Sequence, residues 1–92
     1  MSQGTSQEEL LVFPCHFEFK AFGPGDDDET FVNKVLDAIS TVVPVSRQAA
    51  KSRPSAAGKY QCVSALVTVR NRAQLDAVYT ALRKIDDLKY LL

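Results

Sequence analysis

The residue types that chemistry most often uses are scarce in this sequence. Its 92 residues include no tryptophan, one methionine, two cysteines and a single histidine, His16. Soft-metal sites need clustered Cys and His side chains, and a nucleophilic triad needs a base beside its nucleophile. We therefore predict a protein that is not an enzyme and that uses no metal or other cofactor.

Long hydrophobic runs are also absent. The longest uninterrupted apolar stretch is four residues, Leu10 to Phe13, which is too short for a transmembrane helix or for the hydrophobic region of a signal peptide. A secreted domain of this size normally carries more cysteines, in pairs, than Cys15 and Cys62. We expect a cytoplasmic protein that does not associate with membranes.

Negative charge is missing from the middle of the chain, although 11 basic and 11 acidic residues give a formal net charge of zero. Residues 1–37 hold eight of the acids. Residues 38–75 hold none, but they contain six bases, namely Arg47, Lys51, Arg53, Lys59, Arg70 and Arg72. Such asymmetry can mark a surface that meets a charged partner.

Hydrophobic periodicity predicts the element order βαββαβ. Apolar and polar residues alternate from Cys15 to Ala21 and again from Tyr60 to Val69, which indicates two half-buried strands. Helical spacing predicts one helix over about 29–42 and a second after Asn71. Weaker strands are expected over 45–51 and 88–92. Residues 1–12 are expected to form a flexible tail ahead of a single domain, residues 13–92.

This order is typical of a ferredoxin-like α+β sandwich, in which two helices cover one face of a four-stranded antiparallel sheet. The other face is left open, and on the third strand it carries Tyr60, Cys62 and Leu66. We expect strands one and three to be parallel neighbours with both cysteines near one end. Cys15 should then face the helices and Cys62 the open side, so that both thiols stay free.

Two segments carry a family resemblance. Residues Phe13–Gly23 (FPCHFEFKAFG) resemble the start of the YbeD-like family of small bacterial proteins, and the resemblance resumes at Gly58–Ser64 (GKYQCVS) and continues to Leu92. It implies a ferredoxin-like domain similar to the ACT-type regulatory modules of amino-acid-metabolism enzymes. Such a module would place a small ligand near the loop after strand one, often at a dimer interface.

That loop contains two glycines and three aspartates, Gly23, Gly25, Asp26, Asp27 and Asp28. The glycines permit close backbone approach to a ligand, and the aspartates favour an amine over a phosphate. A helix cap is the alternative, because Asp26 and Glu29 have the spacing of a capping box.

A candidate partner-binding surface lies around the turn between the second and third strands. It comprises Arg47, Lys51, Arg53, Lys59 and Tyr60. The four bases could dock an acidic protein surface or a phosphate, or they could simply keep a solvated loop soluble. Nucleic-acid binding is not favoured, because an RNA-reading third strand would place aromatic residues at the positions of Cys62 and Ala65.

The preferred hypothesis is a non-enzymatic regulatory or adaptor domain that binds another protein through the basic turn between the second and third strands, the open sheet face, or both. The alternative is an ACT-like sensor of an amino-acid-type small molecule, which we would expect to form a homodimer, and nucleic-acid binding is third.

Overall fold

The computed structural model describes residues 11–25 and 29–92 and has the predicted element order. The strands are β1 (Cys15–Pro24), β2 (Ala50–Pro54), β3 (Tyr60–Val69) and β4 (Tyr90–Leu91), and the helices are α1 (Thr30–Ser40) and α2 (Arg72–Arg83). The sheet order is β2-β3-β1-β4, and every neighbouring pair is antiparallel. The prediction of a ferredoxin-like α+β fold is confirmed.

The core lies between the sheet and the two helices. The inward face of β1 and β3 contributes Phe19, Ala21 and four residues of β3, all nearly inaccessible. The helices add Phe31, Val32, Val35, Ile39, Leu75, Val78 and Leu82. Leu11 packs against this cluster, whereas residues 1–10 of the predicted tail lie outside the described residues.

The expected parallel alignment of β1 and β3 is wrong. The two strands run antiparallel, with Cys15 opposite Val69 and Phe22 opposite Cys62. The crossover through α1 makes β1 parallel to β2, and β3 lies between them, so it runs against both. The cysteines therefore lie toward opposite ends of β1, separated by seven residues or roughly 23 Å. Both are free, as expected.

The bounds of α1 and β2 differ from the sequence prediction. Helix α1 ends at Ser40, and Val42 then donates to the carbonyl of Ile39, three residues back, because Pro44 disfavours further helix. Strand β2 begins at Ala50, later than predicted, because a 3₁₀ turn occupies Arg47–Ala49. The strand also ends later than predicted, at Pro54, so the turn to β3 spans residues 55–59, where Gly58 adopts a φ of 76°.

Two leucines offer a matched test of this packing. Leu75 in α2 is 0% exposed, whereas Leu66 on the outer face of β3 is 53% exposed. Leu75→Ala should lower the free energy of unfolding by about 2–5 kcal/mol because it leaves a cavity. Leu66→Ala should change it by only about 0.5 kcal/mol. Urea denaturation measures both, and equal losses would contradict the assignment of faces.

An ion pair joins α1 to the segment between α2 and β4. The Nζ atom of Lys34 lies 3.0 Å from both carboxylate oxygens of Asp87. The hydrogen bond from Lys34 holds the pKa of Asp87 below its ordinary value of 3.8. Because the pKa is lower in the folded state, this pair stabilises the fold above the unfolded-state pKa, and its contribution is lost as the pH falls through the folded-state pKa.

Asp87→Asn should therefore reduce the free energy of unfolding at pH 7, and its difference from the native chain should shrink as the pH falls below 3.8. Denaturant unfolding between pH 2 and 7 provides the measurement. Asp86→Asn is the control, because it removes the same charge from an adjacent exposed position without breaking a recorded ion pair. A deficit of Asp87→Asn that does not vary with pH would contradict the role of the ion pair.

Candidate functional site

Alternate residues of all four strands form a sheet face that neither helix covers, which we call the open face. The strand registers fix its membership. It consists of His16, Glu18, Lys20 and Phe22 from β1, Lys51 and Arg53 from β2, Tyr60, Cys62, Ser64, Leu66 and Thr68 from β3, and Tyr90 from β4. Two features stand next to each other on this face, one basic and one aromatic.

The basic feature is a pocket of about 360 Å³, which we call the basic pocket. Its lining comprises Glu18, Lys20, Lys51, Ser52, Arg53, Cys62 and Ser64. Lys20 and Lys51 flank Ser64 in one cross-strand row, and Arg53 lies opposite Cys62 in the next row. Strand β3 lies between β1 and β2, so the Ser64 hydroxyl on β3 has Lys20 of β1 on one side and Lys51 and Arg53 of β2 on the other.

Little negative charge offsets these cations. The carboxylate of Glu18 lies 3.9 Å from the Nζ atom of Lys20, at the outer limit of an ion pair. Over residues 11–25 and 29–92, no carboxylate is paired with Lys51 or Arg53. The pocket thus carries three positive charges and one negative charge, a local excess of two positive charges.

The aromatic feature adjoins the basic pocket, and we call it the aromatic cluster, Phe22, Tyr60 and Tyr90. The rings of Phe22 and Tyr90 stack at 4.4 Å with an interplanar angle of 13°. The Nζ atom of Lys89 lies 5.4 Å from the centre of the Tyr60 ring, a cation–π contact. Tyr60 and Tyr90 remain 42% and 55% exposed. Phe22 shares its cross-strand row with Cys62 and Arg53, so the two features form one surface.

Of the predicted partner-binding residues, Lys51, Arg53 and Tyr60 meet on the open face. Lys59 is exposed in the adjoining turn, and its carbonyl accepts a hydrogen bond of 2.9 Å from the Gly25 N–H group.

Arg47 does not join this group, which corrects the expectation that four bases surround one turn. Because β2 begins late, Arg47 lies in the 3₁₀ turn at the far end of that strand. Its guanidinium pairs with the carboxylate of Glu29 and donates to the Oδ1 atom of Asn33 at 3.1 Å. Sequence reasoning missed this neutralisation because Glu29 is distant along the chain.

In the predicted ligand loop, both glycines serve internal packing. A side chain on Gly23 would overlap the ring of Phe31, and one on Gly25 would meet the carbonyl oxygen of Gly58. Asp26, Asp27 and Asp28 lie outside the described residues. The proposed capping box is wrong, because α1 begins at Thr30 and Glu29 itself occupies the N-cap position without a side-chain cap hydrogen bond, whereas a capping box needs it at the third helical position. At Gly23 and Gly25, the group that closely approaches the backbone is therefore part of the protein, whereas the sequence analysis expected a ligand there.

The sequence reasoning also left Phe22, Lys89 and Tyr90 out of the site. Phe22 could have been found, because it continues the outward alternation of His16 and Lys20 along β1. Tyr90 could not, since a strand of two residues carries no periodicity and its facing depends on pairing with β1.

Other kinds of site find little support in the described part of the chain. No three His, Cys, Asp or Glu side chains there are grouped so that they could hold a metal ion. His16 is exposed, and its Nδ1 atom lies 3.0 Å from the Oγ1 atom of Thr68. Neither described helix has the length and apolar character needed to cross a membrane.

The fold and the site together define a small ferredoxin-like domain with one uncovered sheet face. Residues 8–92 match a family described as a protein of unknown function, DUF493, and the chain belongs to that family. It is 31% identical over 90 residues to the UPF0250 protein IL0958 of Idiomarina loihiensis, covering 98% of this chain and 99% of that protein. It is 33% identical over 88 residues to a UPF0250 protein of Shewanella sediminis, covering 96% and 97%. The resemblance to the YbeD-like family is confirmed.

Solved structures share the fold. A solution structure of protein HP0495 from Helicobacter pylori superimposes with a TM-score of 0.68, covering 100% of this chain and 96% of that one. A second solution structure of HP0495 gives a TM-score of 0.57, covering 96% of each chain. At 13% sequence identity, this likeness is evidence of fold alone.

The packing role of Gly23 can be tested by substitution. Gly23→Ala should lower the free energy of unfolding by about 1–3 kcal/mol, because the added methyl group overlaps the Phe31 ring. In a Phe31→Leu background, the same substitution should cost less, because the smaller side chain leaves room. Urea denaturation of the four proteins in this double-mutant cycle measures the coupling. An equal cost in both backgrounds would show that ring overlap is not the cause.

Proposed function

We propose that this protein is a non-enzymatic regulatory or adaptor domain that binds another protein through its open face. One observation carries the proposal. The helices cover a single face of the sheet, and the other face combines exposed apolar side chains with two cations, Lys51 and Arg53, that no described carboxylate neutralises.

The apolar part of the open face favours a protein partner. Leu66, Tyr60 and Tyr90 are each more than 40% exposed although they belong to a continuous sheet surface. Covering such side chains is favourable by about 25 cal/mol for each Å² of apolar surface removed from water. Aromatic residues and arginine are also the types most enriched at the centres of protein interfaces. The aromatic cluster beside Arg53 has this composition.

The charged part of the open face indicates an acidic partner surface. Lys51 and Arg53 project from the same side of the edge strand β2, where a partner can approach without displacing either helix. Complementary charge speeds association and suppresses wrong partners. Of the two predicted surfaces, the basic turn and the open sheet face, we therefore choose the open face, because Arg47 is engaged by Glu29.

The competing functions have weaker support. Nucleic-acid binding is not favoured, because Cys62 and Ala65 of β3 stand where an RNA-reading strand would carry aromatic residues. The ACT-like sensor stays a prediction. The space beside the two glycines that favoured it is occupied by the Phe31 ring and by the carbonyl oxygen of Gly58. Homodimer formation and a cytoplasmic location also stay predictions.

The double variant Lys51→Glu/Arg53→Glu tests the proposal, because it reverses the charge of the open face and should repel an acidic partner. The native and variant chains, immobilised as baits, are exposed to bacterial lysate, and retained proteins are identified by mass spectrometry. A partner should be held by the native chain and lost by the variant. Its purified form should bind the native chain at least about tenfold more tightly, with an affinity that falls as salt rises.

The matched control is Arg72→Glu/Lys84→Glu. It makes the same change in net charge at the first residue of α2 and at its C-cap, on the covered side of the sheet, and it should retain the partner. Circular dichroism verifies that both variants are folded. Equal retention by the native chain and both variants would exclude the open-face cations from partner binding, and loss with the control alone would move the interface to α2.

A further inference from the structure

The basic pocket brings together three cations, Lys20, Lys51 and Arg53, and a single carboxylate, that of Glu18. We propose that it is a binding site for a phosphate monoester group, held by Lys20, Lys51 and Arg53. This proposal does not depend on the protein-binding proposal, because the pocket meets the same phosphate chemistry whether a small molecule or a protein side chain carries the group.

The first argument is the electrostatic cost of the cluster. Like charges on neighbouring positions of one sheet face repel each other, and opposite charges placed there would remove the repulsion. Glu18 offsets one of the three cations, at 3.9 Å from Lys20. The remaining excess of two positive charges matches the charge of a phosphate monoester at neutral pH, about −1.5 to −2. A single carboxylate would leave half of it uncompensated.

The second argument is the arrangement of the donors. Lys20 and Lys51 lie on either side of Ser64, so their Cα atoms are roughly 10 Å apart, two strand spacings. Both side chains are long enough to reach inward above the serine hydroxyl. Arg53 is two residues beyond Lys51 on the same face and approaches from a third direction. Three cationic donors fit the three terminal oxygens of a phosphate better than the two oxygens of a carboxylate.

The third argument is the size of the site. The pocket holds about 360 Å³, roughly ten times the share of one water molecule in the liquid. A phosphate therefore occupies only part of it. A second pocket, lined by Phe22, Tyr60, Lys89 and Tyr90, lies beside it along the Arg53–Cys62–Phe22 row, and the group that carries the phosphate would lie there.

Titration of the ¹⁵N-labelled native chain with inorganic phosphate, at constant ionic strength maintained with sodium chloride, tests the site. Saturable amide shifts are expected at Lys20, over residues 51–53 and over residues 62–64. Lys51→Gln/Arg53→Gln should weaken binding at least about tenfold, because two charge-assisted hydrogen bonds are lost. The control Arg72→Gln/Lys84→Gln should bind phosphate as the native chain does.

Three results would overturn the proposal. Shifts that do not saturate, or that persist in Lys51→Gln/Arg53→Gln, would indicate general screening rather than a site. Glutarate binding as tightly as phosphate would assign the pocket to carboxylates. Because no protein partner is present, either result leaves the protein-binding proposal to its own test. The third result is that two phosphate carriers, a phosphoserine peptide and glycerol phosphate, both bind more weakly than inorganic phosphate.

Two carriers distinguish the source of the phosphate. A phosphoserine peptide represents a modified protein, and glycerol phosphate represents a small metabolite. Tighter binding of either one than of inorganic phosphate supports the site and identifies its source. If both bind more weakly than the free ion, the pocket does not accept a phosphate monoester.

Discussion

The antiparallel pairing of β1 with β3 determines which side chains of these two strands enter the core and which lie on the open face. Ten residues of each strand are in register, from Cys15 opposite Val69 to Pro24 opposite Tyr60. A shift of one residue would turn Phe19 out to solvent and bring Lys20 beneath the helices, which would cost far more than the stability of a small domain allows. Burial of the core therefore also fixes the positions of the cations and aromatic rings on the open face.

This coupling explains why the faces were predictable from sequence. Alternation is a local property, so the inward residues Phe19 and Val63 and the outward residues Lys20 and Ser64 can be assigned without knowing which strands pair. The position of α2 could also be predicted from sequence, because its apolar spacing and its N-cap at Asn71 are both local features. The Asn71 side chain accepts a hydrogen bond from the Gln74 N–H group.

The predictions that were wrong depend on contacts between residues distant in sequence. The direction of β3 relative to β1 follows from the crossover through α1, and the start of β2 follows from its hairpin with β3. Both errors affected the site. The first placed the two cysteines at one end of the sheet, and the second grouped Arg47 with Lys51 and Arg53, although Glu29 neutralises it.

Six of the eleven basic residues fall into two groups that the net charge of zero conceals. In the helical layer, Lys34 pairs with Asp87, Arg47 with Glu29 and Arg72 with Asp76. These residues have structural partners, so their presence needs no ligand to explain it. On the open face, Lys51 and Arg53 have no paired carboxylate among the described residues, and Lys20 has only a distant one. Because Lys34, Arg47 and Arg72 have carboxylate partners and Lys51 and Arg53 have none among the described residues, an external anion gains more by binding on the open face than beside these three ion pairs.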